Sequence, residues 1–204
     1  MNLRNIRNRS LWIALLAVTA AMANAQTAAN ASGATAELGA DAGAQSAADF
    51  IKAYAQTDGA FLAAGLVKAT YNADDLSTIL QYPTDSLVVV SLTGAQLRQA
   101  FERSVSLFPQ PNSSFLQLSG FEVTFSKSAS ANSRITSITT NGAKIVDSKT
   151  YTVAMPSSLG RGGLGFFKIW DRNKITKTFE GVTLEDVLKG KKFADTPARW
   201  IAGS

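Results

Sequence analysis

The stretch at residues 87–108, LVVVSLTGAQLRQAFERSVSLF, constrains the fold more than any other part of this chain. It opens with a short apolar run rich in β-branched residues. Such a run is too short for a free-standing helix and predicts a strand buried on both faces. Thr93 then starts a helix. Thr93 and Gln96 have the spacing of a capping box, in which hydroxyl and amide each satisfy an orphan backbone group. Leu97, Phe101, Ser104, Val105 and Phe108 recur at helical spacing and predict one inward stripe. Arg98 and Glu102, four apart, are expected on the outer face. The unit reads as core rather than catalytic machinery, and it sets the register of the segments around it.

Composition narrows the chemistry. The chain holds no Cys and no His. Disulfides, Cys-based zinc sites, Ser-His-Asp triads and His-ligated metal centres are therefore excluded for these residues. No Asp/Glu cluster at loop spacing suggests a carboxylate cation site, and no cofactor is expected. Hydrophobic residues make up 46% and charged ones 17%, which is ample for a core. The net charge of +5 is weighted to the start, where Arg4, Arg7 and Arg9 stand without an acid. Beyond residue 25 the balance falls to 17 basic against 15 acidic residues. No basic stripe interleaved with aromatics remains, so nucleic acid is not an expected partner.

Residues 1–25 have the pattern of a secretory signal. The three arginines precede an apolar stretch from Leu11 to Met22, and Ala23-Asn24-Ala25 supplies the small-x-small motif for cleavage after Ala25. The apolar run is shorter than the ~20 residues of a membrane span. The expectation is a secreted or periplasmic bacterial protein with no membrane attachment after cleavage. Its lack of Cys leaves stability to the core. Residues 26–46 are rich in Ala, Gly, Thr and Asn and predict a flexible leader that turns helical near its end. The folded domain is expected over residues 47–204.

Within that domain, residues 47–56 predict a helix with Phe50, Ile51 and Tyr54 on one side. Thr57-Asp58-Gly59 stops it. Residues 60–66 predict a small strand. Residues 74–82 predict a short helix capped by Asp74 or Asp75, with Leu76, Ile79 and Leu80 buried. Phe121, Val123 and Phe125 alternate with polar residues, as a half-buried strand does. Asn141-Gly142 predicts a tight hairpin between a strand at 134–140 and its return at 144–146. Tyr151, Val153 and Met155 predict a further strand, followed by a Gly-rich loop at 160–165. Residues 184–188 predict a last short helix behind Thr183. Trp170, Phe179, Phe193 and Trp200 read as packing residues. The fold class expected is α+β, a mixed sheet of short strands with a few packed helices.

In this order the landmarks resemble the C-terminal domain of the 5′-nucleotidase family. They are Gly65, Asp75-Leu76, LVVVSLTG, FLQLSG at 115–120, the Asn-Gly hairpin, KTYTVA at 149–154, and the Gly-rich loop. The resemblance spans residues 46–191. It implies a domain that grips a nucleoside while a separate metallophosphatase domain, with His, Asp and Asn ligands, hydrolyses it. A chain without His cannot supply that metal centre, so no intrinsic activity is expected.

The resemblance also implies site residues, and most are altered here. Phe115 matches a ring that stacks on the base. Ser158 stands where a second ring would be. Leu164 stands at the acid of the family's GGDGF loop, where it can accept no hydrogen bond. Lys68 is the nearest cation to the arginine of a GG-[IV]-R stretch, and a point charge does not replace a bidentate fork. The family's P-F-G-N before the LVVV strand reads here QYPTD, residues 81–85. Arg161 is a candidate replacement cation in the Gly-rich loop. The loop lacks the G-K-[ST] ending of a phosphate-binding P-loop. Three functions stay open at this point. The chain is a non-catalytic module for a nucleoside- or nucleotide-type ligand, the substrate-binding partner of a separately encoded metallophosphatase, or an interaction domain that has lost ligand binding.

Overall fold

The computed structural model describes residues 40–203. Among them, helix α1 runs Ala42–Ala55 and strand β1 Gly59–Ala63. Strand β2, Ser86–Thr93, leads into α2, Gly94–Ser104. Then come β3 (Leu116–Ser119), β4 (Glu122–Ser126), β5 (Ile135–Thr140) and β6 (Ala143–Lys144). Strand β7 spans Thr150–Pro156 and is followed by the single-turn helix α3, Ser157–Gly160. Strand β8 (Ile175–Thr183), helix α4 (Leu184–Leu188) and β9 (Trp200–Gly203) complete the order.

The strands form two mixed sheets. One has five strands in the order β3-β1-β7-β2-β8, the other four in the order β6-β5-β4-β9. The α+β class is as expected, but one mixed sheet becomes two. Gly120 is where the chain leaves the first sheet. It has φ +81°, a left-handed conformation that L side chains resist, and it turns β4 away from β3.

Alternation along β2 explains why the five-stranded sheet sits in the middle of the core. Leu87 and Val89 face one apolar cluster with Ala60, Leu62 and Ala154. This cluster is covered by Ala44, Ala47, Ala48 and Ile51 of α1 and by Leu184, Val187 and Leu188 of α4. Val88, Val90 and Leu92 face the other way, with Phe61, Val153 and Met155. There they meet Leu97, Ala100 and Phe101 of α2 and the inner side of the second sheet, including Val123, Phe125 and Trp200. Strand β2 is thus interior and buried on both faces, while β7 holds the central position. Each large apolar side chain removed from water contributes about 1.5–3 kcal/mol before entropy is counted.

Local chemistry fixes the element ends. The capping box of α2 is present. Thr93 Oγ1 accepts from Gln96 N at 3.2 Å, and Gln96 Oε1 accepts from Thr93 N at 3.1 Å. Asn141 and Gly142 both have positive φ, as a tight hairpin of this kind needs. Helix α4 carries its own box, Thr183 with Asp186.

Several boundaries differ from the sequence reading. Helix α1 begins at Ala42, with the Asp41 side chain accepting from Ala44 N at 2.8 Å. Residues 42–46, expected in the leader, are therefore helical, and Gly43 to Ser46 are buried. At Gly43 a Cβ would run into the Tyr71 ring, so a larger residue there would have to displace it. Residues 26–39 of the leader and the cleavage site after Ala25 lie outside the described residues. The predicted helix at 74–82 is a 3-10 turn, Leu76–Ile79, capped by Asp75. Tyr54 is exposed rather than inward. Glu102 is only 8% exposed, so it does not lie on an outer face with Arg98. Its carboxylate accepts from Arg134 N at 3.0 Å and Ile135 N at 2.7 Å, two backbone donors at the start of β5.

Candidate functional site

Strand directions bring the sequence-predicted positions to one end of the five-stranded sheet. Strands β1 and β7 are parallel, so both finish at the same end, at Ala63 and Pro156. Strand β2 is antiparallel to β7 and starts there, with Leu87 opposite Pro156. Strand β3 is antiparallel to β1 and also starts there, with Leu116 opposite Ala63. The loops carrying Lys68, Tyr82, Phe115, Ser158 and Leu164 all flank this end.

Their contacts are specific. Gly65 N donates to Ser113 O at 2.9 Å, and Ala64 N donates to Phe115 O at 2.8 Å. Lys68 N donates to Ile79 O at 2.8 Å, and Gln81 N donates to Leu66 O at 2.9 Å, so the Lys68 and Tyr82 segments run side by side. Lys68 itself is exposed. Asp85 ties the start of β2 to the end of β7, its Oδ2 accepting from Ser158 N at 3.1 Å.

The side chains divide into two groups. Phe115 is fully buried, its ring 4.8 Å from the Trp200 ring centroid. In this structure Phe115 lies in the core, whereas the resemblance implies a ring that stacks on a base. Trp200, from the last strand, packs against the Phe115 ring. Leu164 is half-buried against the core and stands at φ 54°, a left-handed conformation rare for leucine. Its carbonyl accepts from Arg103 Nε at 3.2 Å and from Ser114 Oγ at 2.8 Å, which holds the turn in place. The Leu164 side chain lies against Gly65, with Cδ2 3.4 Å from where a Cβ would stand on that glycine. The position expected to carry an acid therefore carries an apolar plug.

Tyr82, by contrast, is 57% exposed. It borders a crevice with Leu62, Leu66, Leu80, Asp85, Pro156 and Leu184, of about 10 Å³, room for one water at most. Sequence reasoning noted the QYPTD segment only as an altered motif. The signal it missed was a ring at the end of a short apolar turn, with no helical partner to cover it. Arg161 is exposed too, but lines a different hollow, about 670 Å³, with Asp171, Arg172, Asn173 and Ile175. The structure does not bring Arg161 together with Lys68 or Tyr82. Arg103, which sequence reasoning passed over, holds the Leu164 turn. Its guanidinium carbon also lies 5.4 Å above the Phe166 ring. Among the described residues no three Asp or Glu side chains gather as a metal site.

Residues 16–171 match the model of the 5′-nucleotidase, C-terminal domain. The chain belongs to the 5′-nucleotidase C-terminal domain family. A 5′-nucleotidase-related protein of Glossina morsitans morsitans is 34% identical over 145 residues, 64% of this chain and 26% of that protein. A snake venom 5′-nucleotidase of Macrovipera lebetinus is 31% identical over 101 residues, 46% of this chain and 24% of that one. The chain thus spans about a quarter of the length of these two 5′-nucleotidase relatives. Among solved structures, a 5′-nucleotidase precursor from Thermus thermophilus superposes with a TM-score of 0.64 at 22% identity, over 78% of this chain and 34% of that one. Haemophilus influenzae NAD nucleotidase superposes with a TM-score of 0.57 at 17% identity, over 80% of this chain and 33% of that one. At these identities the structures establish the family fold. No described helix is long and apolar enough to cross a membrane.

Proposed function

We propose that this 5′-nucleotidase C-terminal-like chain is an exported, non-catalytic module. On this reading it holds a nucleoside- or nucleotide-type ligand at the end of the five-stranded sheet where its loops converge. The observation that carries the reading is the exposed ring of Tyr82 at that end, beside the segment bearing Lys68. A ring face holds a base by stacking worth about 1–3 kcal/mol. Lys68 offers a point charge to a phosphate. The grip is shallow because Leu164 and Ser158 stand where the family resemblance puts an acid and a second ring, and Trp200 packs on Phe115. On this reading these 204 residues contribute binding and not hydrolysis, since they contain no His to ligate a metal centre of the family's kind. The signal-like pattern at residues 1–25 supports export.

A titration of the full chain with adenosine and AMP, followed by the Tyr82 ring resonances, tests this. Saturable shifts are expected, with affinity falling about 5- to 150-fold in Tyr82→Ala. Phosphate release from AMP by the purified chain with Mn²⁺ or Zn²⁺ would overturn the non-catalytic half. The burial of Phe115 and the Leu164 plug favour a second reading, an interaction domain with a filled pocket. No shift with either ligand at millimolar concentration would decide for it.

A further inference from the structure

We propose that the hollow between α2 and the Gly163–Lys168 turn binds a phosphate group, free or on a small phosphomonoester. The hollow measures about 500 Å³, and its lining includes Arg98, Glu102, Arg103, Asn132, Lys168 and Ile169. It is distinct from the sheet-end site above and does not rest on that reading.

The argument begins with Arg103. Its Nε donates to Leu164 O at 3.2 Å, its Nη2 donates to Ser114 Oγ at 3.1 Å, and its plane lies over Phe166. Three constraints lock the guanidinium before any ligand arrives, so little rotamer freedom is left to lose on binding. Nη2 also donates to Leu164 O at 2.5 Å, so both of its hydrogens are used and Nη1 is the nitrogen left to donate to an oxyanion.

The charges around it fit a dianion. Three cations line the hollow against one carboxylate, Glu102. That carboxylate is occupied, since each oxygen accepts a backbone N–H of Arg134 or Ile135. Arg98 pairs with Asp147 only loosely, at 3.4 Å between exposed side chains, and such a pair rearranges at little cost. Lys168 is exposed on the turn that closes the hollow. The net field matches a doubly charged phosphate better than a single carboxylate.

The test is a titration of the full chain with inorganic phosphate at constant ionic strength. The Arg103 Nε–H and Gly165 amide signals are followed by NMR. The expected result is saturation with a Kd on the order of 10 mM or tighter, weakened about tenfold in Lys168→Ala. Lys174→Ala, outside the hollow, serves as the control and should bind as the wild type does. Glycerol 3-phosphate forms the second arm. Tighter binding than inorganic phosphate assigns the hollow to phosphomonoesters, and equal or weaker binding assigns it to the free ion. A shift that grows linearly with phosphate, or one that Lys168→Ala leaves unchanged, would overturn the proposal. Lys168 is a surface residue, so its removal tests the hollow without risking the fold.

Discussion

Two aromatic residues flank the same sheet end and do opposite work. Phe115 lies at 0% exposure under Trp200, whereas Tyr82 lies at 57%. Phe115→Ala removes a ring from a close-packed interior and should cost about 3–5 kcal/mol in urea unfolding. Tyr82→Ala should stay within about 0.5 kcal/mol of the wild type, because water already surrounds that ring. If unfolding showed the reverse ranking, the assignment of Phe115 to the core and Tyr82 to the surface would fail. Glu102 makes a similar point for polar groups. Its two oxygens each accept a backbone N–H, at 3.0 and 2.7 Å. In Glu102→Gln one of those positions becomes an NH2 that faces a donor. The variant should lose about 1–3 kcal/mol of stability in the same measurement, although its size and shape hardly change.

At the scale of elements, the regular pieces were legible in the sequence and the surface assignments were not. Strand β2, the Thr93–Gln96 box, the Asn141-Gly142 hairpin and the Leu184–Leu188 helix each carry a local signal, and local signals survive into the fold. A helical end to the leader was legible, but its continuity with the 47–56 helix from Ala42 was not, because residues 42–46 have little apolar bulk. Their burial follows from small size and close approach rather than from hydrophobicity. Glu102 was misplaced because helical spacing cannot show that β5 begins opposite it with two open donors. Phe115 could not be separated from a ligand-facing ring by spacing, since its partner Trp200 belongs to the last strand, far along the chain. The Asp75 turn yields a prediction at this scale. Asp75 Oδ1 accepts from Ser77 N, Ser77 Oγ and Gly190 N, and so binds the segment after α4 to the turn before β2. The Ser77 hydroxyl first, then the Gly190 amide, hold this carboxyl below its ordinary range. A group with a depressed folded pKa stabilises the fold above its unfolded value, near 3.9, and that contribution disappears as pH falls through the folded value. Asp75→Asn should therefore lower Tm at pH 6, and the gap to the wild type should narrow as pH falls below the ordinary carboxylate range. A gap that stays constant with pH would mean that the Asp75 charge contributes nothing to the attachment.

Across the whole described fold, one residue from the last strand joins parts that the rest of the chain brings together separately. Trp200 packs on Phe101 of α2, on Phe115 before β3 and on Phe125 of β4, with centroid separations of 5.7, 4.8 and 6.2 Å. Its indole N–H donates to Leu116 O at 2.8 Å, reaching from the second sheet to the edge strand of the first. The preceding residue strengthens the attachment. Arg199 donates to both oxygens of Asp49 on α1, at 2.7 and 2.6 Å, and to the carbonyl of Leu118. The pair is mostly shielded on the arginine side, at 13% exposure, so it holds better than a solvated surface pair would. Both sheets and both of the longer helices thus depend on two adjacent residues near the end of the chain. Trp200→Ala should cost about 3–5 kcal/mol from the lost ring alone, a large share of the roughly 5–15 kcal/mol that holds a domain together. Trp200→Phe keeps a ring among the three phenylalanines but forfeits the bond to Leu116, and should fall between the two. The cavity left by alanine would open beside Phe115, in the interior that Trp200 now fills. Adenosine should accordingly raise the Tm of Trp200→Ala by more than it raises that of the wild type, because only the variant has an apolar slot to fill. Equal shifts in both would show that Trp200 holds the sheets together without closing any route to the site.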